Sequence, residues 1–73
     1  MNFVLYTRPG CHLCDDAAHV LDAMGIEYQA VDISQNADLE TTYGWDIPVL
    51  TRDGEIIVKG VFAQETLVHL LQT

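Results

Sequence analysis

Hydrophobic and polar positions along the first half of the chain change period once, between a strand-like run and a helix-like run. FVLYT (3–7) is short, apolar and partly β-branched, and Pro9-Gly10 follows it, so it predicts a buried strand. After it, apolar residues recur every three or four positions, which predicts one helix face: Leu13, Ala17, Val20, Leu21 and Met24. Gly25 suits a left-handed cap, and IEYQAVDI (26–33) predicts a second strand, parallel to the first in a right-handed βαβ unit.

The second half predicts a short helix, a hairpin and a closing helix. SQNADLETTYG (34–44) has Ser34 or Asn36 as its N-cap and acidic residues in the first turn. In residues 45–60, Asp53-Gly54 lies between VLT and EIIV, the typical sequence of a type I′ hairpin turn. ETLVHLL (65–71) predicts the last helix, with three leucines facing the core: Leu67, Leu70 and Leu71.

This order of elements, β-α-β-α-β-β-α, defines an α/β fold. Its first half is parallel and its second half is an antiparallel hairpin, so we expect one mixed four-stranded sheet with helices on both faces. The chain has 73 residues, which we interpret as a single domain over 1–73.

Composition and charge narrow the classes of partner. Hydrophobic residues make up 49% of the chain, which favours a packed core over disorder. Eleven acidic residues against three basic ones give a formal charge of −8, so nucleic acid and anionic membrane surfaces are poor partners. The N-terminal residues lack the pattern of a signal peptide and no apolar run approaches bilayer length, so we expect a cytoplasmic protein with reduced cysteines.

Candidate chemistry is concentrated at Cys11 and Cys14, the two cysteines of the chain. Both fall where the first strand ends and the first helix begins, and free amides and the helix dipole there favour a thiolate. Cys14 lies one turn deeper on the same helix. We therefore predict that Cys11 is the attacking thiolate and that Cys14 resolves the mixed disulfide.

Neighbouring charges should tune this pair in opposite directions. Arg8 and His12 are candidate substrate-binding residues, and a protonated His12 would also favour the Cys11 thiolate. Asp15 and Asp16 oppose a further anion, so we expect moderate activation. Pro48 is typical of a strand start; in a fold of this class, however, Ile47-Pro48 is also the second candidate binding segment, where backbone could pair with an extended substrate. Tyr43 and Trp45 could flank that groove.

Other interpretations of the two cysteines remain open. A CxxC pair can be half of a zinc site, but the remaining ligands would have to come from dispersed histidines, which are His12, His19 and His69. A dimer that shares two such pairs could hold zinc or an iron–sulfur cluster. Two inert buried thiols, or a redox-silent module that binds through the proline segment, are further alternatives.

Taken together, these segments resemble glutaredoxins. YTRPGCHLCDDA, followed by YGWDIPVL, is most similar to a short glutaredoxin-like family whose substrate is generally unassigned. The resemblance implies a thioredoxin-like fold, a cis proline at Pro48 facing the CxxC pair, and thiol–disulfide oxidoreductase activity with Cys11 as nucleophile.

The resemblance also implies where glutathione would bind. Arg8 and the backbone of Ile47 and Pro48 match two elements of the glutathione site of glutaredoxins. The third element, at residues 59–65, departs from the family pattern because it has one glycine and no aspartate. We therefore expect no tightly bound cofactor and a limited role for glutathione as reductant. We expect a monomer that reacts with a disulfide-containing protein or a small thiol.

Overall fold

The described part of the chain contains the predicted elements in the predicted order. The computed structural model describes residues 2–71, and the side chains of residues 2–69. These residues form four strands and three helices: β1 (Phe3–Thr7), α1 (His12–Ala23), β2 (Gln29–Asp32), α2 (Ala37–Tyr43), β3 (Val49–Arg52), β4 (Glu55–Lys59) and α3 (Gln64–Leu71). The predicted core side chains of Leu70 and Leu71 lie outside the described residues.

The strands form one mixed sheet in the order β2-β1-β3-β4, which confirms the predicted fold class. β1 pairs with β2 in parallel, and Thr7 lies opposite Asp32. β1 pairs with β3 in antiparallel fashion, and Tyr6 lies opposite Val49. The β3–β4 hairpin completes the sheet. Because β1 is central, the loop that leaves its C-terminal end emerges between the ends of β2 and β3.

One face of the sheet carries the main core. Leu5 and Leu50 are directly opposite in β1 and β3, and both are buried. Helices α1 and α3 cover them through Ala17, Leu21 and Leu67, which have no exposed surface. Each buried leucine side chain contributes roughly 1.5–3 kcal/mol to the stability of the fold, because it is removed from water.

The opposite face is covered by α2. Side chains alternate along a strand, so Tyr6 faces away from Leu5. Its ring stacks on that of Tyr43 in α2, with ring centroids 4.3 Å apart and an interplanar angle of 17°. Helices therefore lie on both faces of the sheet, as predicted.

The predicted apolar face of α1 is corrected at its first position. Leu13 is 44% exposed, whereas Cys14 is buried. Positions 14, 17 and 21 follow the helical repeat and lie over the sheet. Leu13 lies at the margin of this face in the first turn, where the core does not reach it. Val20 and Met24 are partly buried against the core, as expected.

Local hydrogen bonds determine where several elements begin and end. β2 is shorter than predicted at both ends. The Ile26 amide still donates to the Leu21 carbonyl of α1 at 3.1 Å. Asp32 accepts a hydrogen bond from the Ser34 amide at 2.9 Å and starts a 3₁₀ turn over Ile33–Gln35. Of the two candidate N-caps for α2, Asn36 is the one observed. Gly25 ends α1 at φ +70°, as predicted.

The hairpin turn has the predicted type I′ backbone, since Asp53 and Gly54 have φ values of 51° and 90°. No helix among residues 2–71 is long and apolar enough to cross a membrane.

Candidate functional site

The loop between β1 and α1 places Cys11 at the start of a helix. Gly10 adopts a φ of 81°, which turns the chain after Pro9. The Cys11 amide donates to the Arg8 carbonyl at 3.3 Å, and Cys11 is the N-cap of α1. The Asp15 amide donates to the Cys11 carbonyl at 3.1 Å. The sulfur of Cys11 is thereby directed at the free amides of the first turn.

The two cysteines are both free thiols, but they occupy different environments. The Cys11 sulfur accepts a hydrogen bond from the Cys14 amide at 3.1 Å and is partly exposed. Cys14 is 3% exposed and belongs to the buried face of α1. An incoming disulfide can therefore reach Cys11, whereas Cys14 is accessible mainly to a group already attached at Cys11.

Burial also changes the pKa of Cys14 relative to that of an ordinary thiol. Burial raises the pKa of Cys14 from 9.0 to about 11, and the hydrogen bond with Cys11 acts in the same direction. Cys14 consequently remains a neutral S–H donor beside the Cys11 sulfur at physiological pH. Cys11 is thus the more accessible of the two thiols, and the order of attack stays a prediction.

Pro48 lies at the end of β3 that adjoins the CxxC loop. The Ile47–Pro48 peptide is cis, and Pro48 is fully buried. Because β3 runs antiparallel to β1 and Val49 is opposite Tyr6, the residues before Val49 lie beside the end of β1. The Ile47 amide donates to the Tyr43 carbonyl at 3.1 Å, and the Gly60 amide donates to the Pro48 carbonyl at 2.9 Å.

Arg8 has a partner that the sequence did not predict. Its Nε donates to Glu40 Oε1 at 2.9 Å, and its Nη2 donates to Oε1 at 2.7 Å and to Oε2 at 2.8 Å. The pair connects the CxxC loop to α2. The two residues are 32 positions apart, and Glu40 looked like one of several ordinary surface acids, so no local pattern pointed to it.

The remaining candidate binding residues surround the same loop. His12 is exposed in the first turn of α1. Trp45 is 98% exposed and lines a shallow cleft of about 210 Å³ with Arg8, Glu40 and Gly44. Tyr43 is instead committed to its stack on Tyr6.

A second cleft, of about 260 Å³, reaches from the other side of Arg8 toward Cys14. Asp15 and Asp32 contribute carboxylates to its lining. Hydrogen bonds from the Ser34 hydroxyl and amide lower the pKa of Asp32, and the positive charge of Arg8 contributes. Both carboxylates make the surroundings of Arg8 more negative.

The described residues of one chain do not form a cluster of possible metal ligands. Among residues 2–71, no group of three or more Cys, His, Asp or Glu side chains is placed to hold an ion. His12 and His19 are both exposed on α1. A site shared between two chains would need both CxxC pairs.

Comparisons with known proteins agree with this geometry. The model of the glutaredoxin-like domain (DUF836) matches residues 2–72. The Gene 56 protein of Mycobacterium phage D29 is 43% identical over 37 residues, which cover 51% of this chain and 41% of that protein. The chain thus aligns with less than half of that relative's length.

Solved structures extend the similarity to the whole fold. The X-ray structure of the structural-genomics target protein XcR50 from X. campestris is 34% identical and has a TM-score of 0.88, covering 96% of this chain and 95% of that one. Glutaredoxin from Archaeoglobus fulgidus is 15% identical with a TM-score of 0.72, covering 99% of this chain and 87% of that one. The second likeness concerns the fold alone.

Proposed function

The chain belongs to the glutaredoxin-like (DUF836) family, and on that premise we propose that it is a thiol–disulfide oxidoreductase. The observation that carries this proposal is the unequal environment of the two free thiols. Cys11 is partly exposed at the N-terminus of α1, and Cys14 is buried with a raised pKa. A nucleophile that is accessible and a second thiol that is protected from solvent are what a two-step exchange requires.

The reaction proceeds by two thiolate attacks. The Cys11 thiolate attacks one sulfur of the substrate disulfide, forms a mixed disulfide and releases the first substrate thiol, which takes up a proton. Cys14 then loses its proton and attacks the Cys11 sulfur, which forms the Cys11–Cys14 disulfide and releases the second thiol. The substrate gains two electrons from the protein and two protons, one from Cys14 and one from solvent, because Cys11 attacks as a thiolate. Two molecules of a low-molecular-weight thiol, or one molecule of a dithiol, then supply two electrons and return the protein to its reduced form.

Substrate contacts are proposed around the same loop. An extended substrate would lie along Ile47 and Pro48, with His12 and Arg8 at either side of Cys11. The Ile47 amide and the Pro48 carbonyl already bond within the protein, so backbone pairing there would use the Ile47 carbonyl. We propose that the protein acts as a monomer in the reducing cytoplasm, on a disulfide-containing protein or a small disulfide. It holds no tightly bound cofactor, and glutathione is one candidate reductant.

The test uses the neutral probe bis(2-hydroxyethyl) disulfide with three reduced proteins: wild type, Cys11→Ser and Cys14→Ser. Mass spectrometry follows the products. The wild type should form an internal disulfide, with a mass lower by two hydrogens. Cys14→Ser should accumulate a mixed disulfide between Cys11 and the 2-hydroxyethylthio group of the probe, because no resolving thiol is present. Cys11→Ser should react slowly, because Cys14 is buried.

The alternatives predict different products. A redox-silent module would show no internal disulfide in the wild type and only slow adduct formation in Cys14→Ser. Metal binding by a dimer would give stoichiometric zinc or iron in the freshly purified protein, together with a dimeric mass in solution. Either outcome would contradict the proposed oxidoreductase activity.

A further inference from the structure

The few positive charges of this chain are arranged unequally along the sheet. There are three Lys and Arg residues, which are Arg8, Arg52 and Lys59. Arg52 lies beside the β3–β4 turn, at the end of the sheet remote from Cys11. Arg8 precedes Cys11 by three residues, and Lys59 lies opposite Val49 at the same end as the CxxC loop. Of the three Lys and Arg side chains, Arg8 and Lys59 are therefore the ones placed to attract an anionic substrate toward Cys11.

Both of these cations are engaged by carboxylates. Arg8 makes three charge-assisted hydrogen bonds to Glu40 of 2.7–2.9 Å, in the two-pronged geometry that suits guanidinium and carboxylate. Lys59 lies 3.6 Å from Asp46, in a looser and more exposed pair. Arg8 and Glu40 are 39% and 37% exposed, so solvent screens them only in part. The Arg8–Glu40 pair is the better-formed of the two.

Pairing changes what an incoming disulfide encounters at Arg8. A carboxylate on the substrate would have to displace Glu40 from Nε and Nη2, or approach a pair whose charges already cancel. Asp15 and Asp32 line the adjoining cleft and add repulsion. The structure thus places a potential anion-binding arginine in the loop that leads to the reactive cysteine, and Glu40 occupies its guanidinium.

We propose that Glu40 is a specificity-determining residue, which occupies Arg8 and so disfavours anionic disulfides at Cys11 relative to neutral and cationic ones. This inference rests on the proposed oxidoreductase function. It assigns the substrate a chemical class: a disulfide whose flanking groups are uncharged or basic, such as a disulfide on a basic protein surface. Glu40 thereby also disfavours glutathione disulfide, whose two halves each carry a net negative charge.

The test measures rates of oxidation of the reduced protein by three probes. Glutathione disulfide is anionic, bis(2-hydroxyethyl) disulfide is neutral and cystamine is cationic. Glu40→Gln keeps the size of the side chain and removes its charge. The ratio of the glutathione disulfide rate to the neutral-probe rate should rise about tenfold in Glu40→Gln at low ionic strength, and the cystamine ratio should fall. Both changes should shrink in high salt.

Glu27→Gln is the matched control. It removes one negative charge, as Glu40→Gln does, but Glu27 is exposed just before β2, at the end of the sheet remote from Cys11. If both variants shift the ratio equally, only net charge matters and the inference is wrong. Adding Arg8→Gln to Glu40→Gln should abolish the gain, because the freed guanidinium is its source; a gain that persists also overturns the inference.

Failure of the inference and failure of the proposed function give different results. If the wild type is oxidised by the neutral probe and Glu40→Gln shows no selective gain, Glu40 does not set specificity while the oxidoreductase proposal stands. If the wild type forms no internal disulfide with any probe, both proposals are wrong.

Discussion

The buried thiol of Cys14 offers a quantitative prediction about reactivity. In Cys11→Ser, Cys14 is the sole remaining cysteine, and burial, the larger cause of its raised pKa, is unchanged. Burial therefore keeps the pKa of Cys14 above 9.0 in this variant, and each pKa unit makes the ionised fraction at neutral pH tenfold smaller. Only the thiolate reacts with iodoacetamide. Alkylation of folded Cys11→Ser should therefore be more than about tenfold slower than in the urea-unfolded chain, since poor access adds to poor ionisation.

The assay follows alkylation by mass spectrometry as a function of pH. In the folded variant, the rate should keep rising above pH 9, because burial still raises the pKa of Cys14. Cys14→Ser provides the comparison, and its partly exposed Cys11 should react much faster than Cys14 does in the converse variant. Equal rates in folded and unfolded Cys11→Ser, with a plateau just above pH 9, would refute the environment assigned to Cys14.

Further predictions concern stability, and urea unfolding measures each of them. Asn36→Ala removes the side chain that accepts two amide hydrogen bonds at the start of α2, and it should lower the free energy of unfolding by about 1 kcal/mol. Leu21→Ala should lower the free energy of unfolding by about 2–5 kcal/mol, because Leu21 has no exposed surface. Leu13→Ala should lower it by less than about 0.5 kcal/mol, because Leu13 is exposed. Similar decreases in the two variants would contradict the described face of α1. The Cys14 pKa is raised by folding, so its stabilising contribution is complete below about pH 9 and is lost as pH rises through about 11. The wild type should therefore lose up to about 3 kcal/mol more over this range than Cys14→Ala does, and equal losses would refute the raised pKa.

Local sequence signals predicted most of the fold. Gly25 and the Asp53–Gly54 turn marked their positions because few residues accept a positive φ, and both were observed as expected. The period of apolar residues identified α1 and α3, and the helix start placed Cys11 at its N-cap. These features depend on residues close together in sequence, which is why one sequence was sufficient.

What the sequence could not predict depends on tertiary contacts. The Arg8–Glu40 pair joins residues 32 positions apart, and α2 must first pack on the sheet before they meet. The exposure of Leu13 depends on how far the core extends beneath the first turn of α1. Periodicity indicates which face of a helix is apolar, but it does not indicate where the surface that covers that face ends.

That Cys11 and Cys14 act as one redox couple is the central claim, and a redox titration of the wild type tests it most directly. The protein is equilibrated with mixtures of 2-mercaptoethanol and bis(2-hydroxyethyl) disulfide, trapped with acid and examined by mass spectrometry. We predict one reversible two-electron transition between the dithiol and the Cys11–Cys14 disulfide, with about a tenfold change in the ratio of the two forms for each 30 mV. A protein that stays in the dithiol form across the whole titration, or that yields only adducts, would contradict the claim.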